Sequence, residues 1–509
     1  MMTIRTHGLW PLCAMIVVAM SSDLFAQVTQ IIEGGNRPWT YKFVVDPASE
    51  VQPALKYRLL PDQMMLRPGD ASSFYHRALR RFSAHSDMER KEFDECLAFG
   101  LMIRPASTDK DHHVVAGVSI DRVKTLITTF SDVLVELNLA ANREYCDWGL
   151  GFREKDGIET INLQFDEFYL MRSLARLLQM KARVAIVDHD YDEAFRVIQM
   201  SFQLGRDVSQ CPFIITGLIG TAIAVETQVV LMEIIAQPGS PNLYWALAMV
   251  PMPLIDVRPG VENELNLALK FPLVREADRP HTSQEWKDLF GQSIELVRQL
   301  RANPAKEGGE TETLENPASW NSLDLLKPEF ARVKEELVRL GLTADQISAM
   351  PVLQLIAAHE SRLVRCKRDE TLKLIRLPFH QAAQLLERIE KPGSQDGESN
   401  RLSDFKEVVP LYDSLRPFVG QALHASIRLD CRLARLQVVE ALRLHATANR
   451  RKFPESLAEV TLVPIPLNPI TGKPITYSLD GETAVLEFPS SNSIANYGEI
   501  TRVTLRKED

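Results

Sequence analysis

No Cys-x-x-Cys pair occurs in this 509-residue chain, and its six cysteines lie far apart. A ribbon-type zinc site and a thioredoxin-like redox pair are thereby excluded as local motifs. The chain also lacks a Gly-x-Ser-x-Gly elbow and a Gly-x-x-x-x-Gly-Lys loop, because Thr471-Gly472-Lys473 has no upstream glycine in place. The local signatures of α/β-hydrolases and phosphate-loop proteins are missing with them. Blocks of lysine and arginine with interleaved aromatics are absent too, and the formal net charge is −9. An acidic surface repels phosphate backbones, so nucleic acid is not an expected partner. Beyond the N-terminus, no apolar run reaches the roughly 20 residues that span a bilayer. Cys211 to Val225 comes nearest, but Glu226 and Gln228 interrupt it. Its small residues Gly217, Gly220 and Ala224 share a face and suit close helix packing, so a buried central helix is expected there.

The N-terminus is different. Arg5 and His7 precede the apolar run Leu9 to Met20, and Ser21-Ser22-Asp23-Leu24-Phe25-Ala26 follows it. This is the layout of a secretory signal peptide over residues 1–26, cleaved after Ala26, and it predicts an exported, periplasmic or extracellular protein. The apolar run is about a dozen residues and contains Pro11, which is short for a membrane anchor. Cleavage leaves Cys96, Cys146, Cys211, Cys366 and Cys431, an odd number, so at least one thiol is free or paired between molecules. Their wide spacing suits isolated core cysteines better than a disulfide framework, although export permits disulfides.

Hydrophobic residues at 45% and charged residues at 25% match an ordinary globular protein. The pattern is mainly α. Phe165 to Val208 reads as a helical hairpin: Phe168, Met171, Ala175, Leu178, Ala182 and Ala185 recur at steps of three and four. Leu170, Leu174, Leu177 and Val184 form a second stripe, so this helix needs neighbours on two sides. After Asp188-His189-Asp190 the pattern resumes as Tyr191, Phe195, Ile198 and Phe202, with Asp190 as N-cap and Glu193 closing a capping box. Other capping boxes are Ser86 with Glu89, Thr282 with Glu285, and Thr343 with Gln346.

The organisation follows from breaks in this periodicity. An irregular segment at 27–70 holds a short strand at Thr40 to Val45, then a helical body runs over 71–301. NPAKEGGETETLENPAS lacks apolar periodicity and marks a linker at 302–319. A helical second half over 320–450 contains a second polar break at Lys391 to Arg401. It ends in a long helix from about Leu415 to Asn449, striped by Leu429, Leu433, Leu436, Val439 and Leu442. At 451–509 a short helix, a proline-bound loop and two strands around Asp480-Gly481 form a small β-hairpin module, with a type I′ turn expected at Asp-Gly. The expected fold is therefore irregular stacked helical pairs with a small C-terminal β module.

Candidate chemistry is sparse. His112 and His113 are adjacent and point apart, so Asp109 to His113 reads as a solvated loop rather than a metal site. His359-Glu360 opens like a zinc-protease helix, but the second ligand position is Leu363. Asp188, Asp190 and Asp192 imitate the start of a calcium loop, yet Glu193 replaces the turn glycine and Gln199 the final acid. No catalytic, cofactor-binding or metal-binding residue is assigned. The leading expectation is a noncatalytic scaffold for protein or peptide interaction. A hydrolase whose site assembles from distant residues, and an accessory protein of a secretion or envelope system, are the alternatives.

Three resemblances add to this reading. Leu178 to Arg206 resembles a tetratricopeptide unit, with Ala182, Ala185, Ala194 and Ser201 near packing positions, although no 34-residue period recurs. Phe453-Pro454-Glu455-Ser456-Leu457, Asn468-Pro469-Ile470-Thr471-Gly472-Lys473-Pro474 and Tyr477, behind a long helix, resemble the end of type II secretion pseudopilins. Their N-terminal signature is not matched, since Gly8 is followed five residues on by Cys13. Taken with Ala54 to Pro61, Cys146-Asp147-Trp148 and Pro241 to Leu247, the chain resembles large secreted proteins of planctomycete-type bacteria. That resemblance implies compartment and architecture and carries no catalytic residue.

Overall fold

The computed structural model describes residues 39–97, 118–151, 165–301, 329–382, 407–409, 411–412, 417–488 and 499–507, with isolated positions 154–155, 160, 163 and 385. The signal segment 1–26, the Asp109 to His113 stretch, the linker 302–319 and the break Lys391 to Arg401 lie outside them. The described residues are mainly helical, 62% helix against 9% strand, with a small strand-containing C-terminal module.

In chain order the elements are β1 (Trp39–Val45), β2 (Arg67–Asp70), α1 (Ser72–Ala84), α2 (Asp87–Cys96), α3 (Ile120–Thr129), α4 (Ser131–Ala141) and β3 (Arg143–Tyr145). The body continues with α5 (Asp166–Val187), α6 (Tyr191–Ser209), α7 (Ile214–Ile235), α8 (Tyr244–Ala248), α9 (Arg258–Leu267), α10 (Pro272–Arg275) and α11 (Ser283–Arg301). The second half comprises α12 (Glu329–Arg339), α13 (Ala344–Ala349), α14 (Val352–Ile375) and α15 (Pro417–Ala448), followed by β4 (Thr476–Asp480), β5 (Thr483–Phe488) and β6 (Glu499–Leu505).

The hairpin of α5 and α6 packs against α7, and α15 packs on α7 as well. The first stripe of α5 is wholly buried, from Phe168 to Ala185. Its second stripe is buried at Leu174 and Leu177 only in part of its length, because Leu170 is 39% exposed. The hairpin turn is tightly determined: His189 takes φ 58°, the Asp190 amide reaches back to the Ala185 carbonyl at 2.8 Å, and the His189 amide to Ile186 at 3.1 Å. This is the Schellman arrangement that satisfies the last carbonyls of a helix. Asp190 then caps α6 by accepting the Glu193 amide at 3.0 Å. The expected capping box does not close, because the Glu193 carboxylate turns to Arg196 and Lys181 instead. The boxes at Ser86, Thr282 and Thr343 do close.

Helix α7 has the length and apolarity of a membrane span, yet nearly all of it is buried against other helices. Gly205 of α6 and Gly220 of α7 meet at their backbones: a Cβ on Gly205 would stand 2.9 Å from the Gly220 carbonyl oxygen, and one on Gly220 would overlap the Gly205 carbonyl. Two buried glutamates of α7 are matched from α5. Arg183 grips Glu233 in a fork at 2.8 and 2.9 Å, and Arg172 reaches Glu226 at 2.6 Å. Phe195 is 2% exposed at the heart of this unit, with the Tyr57 ring 4.5 Å away. Phe195→Ala should destabilise the protein by about 3 kcal/mol, the lower end for such truncations because the half-buried Tyr57 can settle into the gap. A shift of the urea midpoint checks it; a loss under about 1 kcal/mol would contradict the packing described.

Several sequence expectations need correction. The sequence predicts one helix from Ser119 to about Arg143, but it is broken at Phe130, whose buried ring is held by Phe82, Phe93 and His85 while its backbone leaves the helical region. Only a 3-10 turn, Leu457–Glu459, stands where a short helix was expected. Strand is concentrated in the C-terminal module, in β4, β5 and β6, and β1 stands where a short strand was expected, but β2 and β3 were not expected and pair with each other in parallel. The strand at the start of the described chain belongs to the C-terminal sheet, whose order is β1-β6-β5-β4, with β1 parallel to β6 and Trp39 opposite Glu499. The hairpin of β4 and β5 forms where expected, but its two loop residues are Gly481 and Glu482, and positive φ falls at Gly481 alone. A type I′ turn requires it at both, so the turn is not of that type.

The sheet lies against α15. Tyr41, Phe43 and Val45 of β1 point inward, and the Arg435 guanidinium stacks 4.1 Å above the Tyr41 ring. Glu499 accepts from Arg432 at 2.9 Å and Arg435 at 2.7 Å. Burial disfavours its charge, but the two arginines win and hold the carboxyl down at about 2. Within the module the two segments singled out in the sequence are joined: the Tyr477 hydroxyl donates to the Pro454 carbonyl at 2.6 Å, and Asn468 closes its loop by backbone bonds with Lys473 and Gly472 at 2.8 Å. The five described cysteines are free thiols, four of them buried, and burial pushes Cys211 and Cys431 up to about 12. The four buried ones are core side chains, and burial makes their thiols poor nucleophiles.

Candidate functional site

A cleft of about 360 Å³ opens between the connector before α9, the end of α14 and the middle of α15, with Pro469 of the module at one side. The connector carries Pro251 and Pro253 and cannot continue a helix, while Pro259 stands in the first turn of α9. It is stitched to α15 at successive turns. The Ser426 hydroxyl donates to the Ile255 carbonyl at 2.6 Å, and the Leu254 amide donates to Asp430 Oδ1 at 3.2 Å. Two residues on, Asp256 receives the Arg258 backbone amide and both ends of its guanidinium at 2.7 and 2.8 Å, which fixes the start of α9.

The opposite wall comes from the sequence Ile375-Arg376-Leu377-Pro378-Phe379, where Pro378 stops α14 and turns the chain. Arg376 is paired with Glu262. Phe379 meets the His424 ring edge to face at 5.0 Å. Burial and the neighbouring Arg428 lower His424 to about 4, so it is neutral near pH 7. His380 lies against Gly472, where φ is 65° and a Cβ would stand 3.0 Å from the imidazole, so the glycine lets the module loop close on this wall.

Asp430 is 3% exposed, and burial raises its carboxyl to about 7 against the pull of the Leu254 amide and Arg258. Its second oxygen takes no hydrogen bond from the described residues. A concave, mostly apolar pocket with one perturbed, incompletely partnered carboxylate is the combination that marks a binding or active site. Chemically the cleft can bury an apolar group and meet a positive charge. It is poorly equipped for acyl transfer, because among the described residues the one serine lining it donates to a carbonyl and no histidine lines it.

The motifs weighed from sequence go elsewhere. His359 is fully buried between Glu336, 2.6 Å from Nε2, and Glu360, 2.9 Å from Nδ1. Burial lowers its pKa, but the two glutamates outweigh that and raise it above the ordinary value. Glu360 also accepts the Val408 amide at 2.9 Å, so the group ties α12, α14 and the 407–409 segment together. Asp188 pairs with Lys124 and Asp192 with Lys56, while Asp190 caps α6, so the three aspartates do not converge. Among the described residues no group of three potential metal ligands comes together. Cys146 to Gly149 forms an anchoring turn: the Trp148 indole donates to the Asp207 carbonyl at 2.7 Å. The Asp207 carboxyl, raised to about 7 by burial, accepts Tyr75 at 2.7 Å and Gln203 at 2.8 Å.

Sequence reasoning missed Asp430, Asp256 and Arg258. The available signal was Asp430 itself, a carboxylate beside Leu429 in an otherwise apolar stripe. No known family model matches the chain, and neither a curated protein nor a solved structure matches it.

Proposed function

We propose that the chain is an exported, noncatalytic helical scaffold that binds a protein or peptide partner, with the cleft at Asp430 as its recognition site. The observation that carries this reading is the state of the polar groups in the cleft. Asp256 and Arg258 satisfy each other, Ser426 is committed to Ile255, and among the described side chains lining the cleft Asp430 alone keeps a free carboxylate oxygen. Such a site holds and orients; it lacks a nucleophile paired with a base. Met252, 49% exposed, and Leu377, 37% exposed, extend the apolar walls outward to a partner's surface. Export rests on the signal layout of residues 1–26, and recovery of a chain starting at Gln27 from the envelope is the expected result of N-terminal sequencing.

Photocrosslinking tests the binding reading. A photoreactive residue at Met252 should capture a small set of polypeptides from native envelope extracts, whereas the same group at Lys287, on α11 and away from the cleft, should not. Equal capture at both positions, or turnover of peptide or ester substrates that is lost in Asp430→Asn, would overturn it.

A further inference from the structure

We infer that the cleft at Asp430 receives a lysine side chain of the bound partner, its aliphatic stem along the apolar walls and its ammonium on Asp430. The inference rests on the reading of this cleft as a peptide-binding site and names the residue recognised there.

The charge inventory of the cleft points to a cation. Asp256 is matched by Arg258 through both guanidinium ends, and Arg376 by Glu262. Asp430 is the remaining charge: Arg258 is near but bonded to Asp256, no described cation is bonded to Asp430, and a buried carboxylate without a bonded cation is an unfavourable arrangement. The burial that raises its carboxyl to about 7 reflects this cost, and an arriving cation would relieve it. The number of free acceptors points to lysine over arginine. Oδ1 already holds the Leu254 amide, so Oδ2 is the oxygen left wholly to the cleft. A guanidinium gains its advantage by gripping both oxygens of a carboxylate, and here it would have to share Oδ1 with the Leu254 amide. An ammonium is a point charge that one oxygen can meet. The walls point to the same side chain. Ile375, Leu377, Phe379, Leu423 and Ile427 offer apolar surface on the way to Asp430, which suits a four-carbon stem with the charge at its tip.

The test uses the full chain and three fluorescent peptides, Ac-Leu-Ser-Xaa-Leu-Phe-NH2, with lysine, norleucine or arginine at Xaa. Norleucine keeps an unbranched apolar stem and removes the charge. The lysine peptide should bind roughly tenfold more tightly than the other two, the size of one charge-assisted hydrogen bond in a partly desolvated site. Asp430→Asn should bring the three to within about twofold of one another. Met252→Trp, a change at a half-exposed wall position, should weaken all three and locates binding to the cleft even where Asp430→Asn is poorly folded. Far-ultraviolet circular dichroism of each variant monitors folding. Equal binding of the three peptides to the parent protein, weakened by Met252→Trp, would overturn the lysine assignment and leave the peptide-binding cleft standing. Failure of all three to bind would overturn both.

Discussion

Arg443→Met should be among the most damaging single substitutions in this protein, costing about 3–5 kcal/mol. Arg443 and Glu440 are both fully buried one turn apart on α15, and the guanidinium meets the carboxylate at 2.8 and 3.0 Å. The same guanidinium donates to the Ser240 carbonyl and hydroxyl, each at 2.8 Å, and to the Asp46 carbonyl at 2.8 Å. It therefore joins three parts of the chain far apart in sequence: the exit of β1, the turn after α7, and α15. Methionine fills much of the space but donates nothing. Glu440 would keep only the Leu243 amide, at 3.1 Å, as a partner for a buried charge. Removing one member of a buried pair leaves the desolvation of the other uncompensated, which is why the loss exceeds the worth of the pair itself. Urea unfolding measures the effect, and native-state hydrogen exchange should show Tyr41 to Val45 losing protection first, since β1 loses its tether at Asp46. The double variant Arg443→Met with Glu440→Met should recover part of the loss by removing the orphaned charge. A single variant costing less than about 1 kcal/mol would show that the pair contributes little to holding the two ends together.

Local physics was readable from the residues; distant pairing was not. Three capping boxes, the hairpin of α5 and α6, and the burial of α7 with Gly220 at a helix crossing depend on residues within a few turns of one another. The break at Phe130 depends on Phe82 and Phe93, which lie on other helices, so uninterrupted periodicity concealed it. The parallel pairing of β1 with β6 joins Trp39 to Glu499, and nothing in seven residues of alternating pattern names a partner so far along the chain. The same limit hid the cleft. Asp430 stands out as a charge beside an apolar stripe, but its burial is created by Leu254 and by the end of α14. The stripe of α15 shows one apolar face, whereas the helix is enclosed widely enough that Arg435, Glu440 and Arg443 are buried too. A helix surrounded in this way has to settle each charge inside the fold, and the partners come from β1, β6 and the 240–243 turn.

Stability should fall as pH rises from about 5 to about 8, with Glu264 as a principal cause. Glu264 sits on α9 and is 7% exposed. Its Oε1 accepts the Ile214 amide at 2.7 Å, capping α7 from outside because Phe213, at the cap position, has no side-chain acceptor. Burial pushes its carboxyl up to about 8, against the pull of that amide. In the unfolded chain the same group ionises near its ordinary value of about 4.3. Below that value both states are protonated and the contribution is intact. Between the two values the unfolded state has released a proton that the native state retains, so stability declines by about 1.4 kcal/mol per pH unit, approaching 5 kcal/mol in all. Above about 8 both states are ionised and this slope ends. Asp207 and Asp430, each raised to about 7, act in the same direction over a narrower window. Glu264→Gln separates the contributions, because the amide oxygen can still accept from Ile214 and the titration is gone. The expected result is a variant no more stable than the parent at pH 5 and clearly more stable at pH 8, with the difference growing steadily between them in urea unfolding. Parallel stability curves for variant and parent across that range would mean that Glu264 is ionised in the native protein, held as a carboxylate by the N-terminal amides of α7.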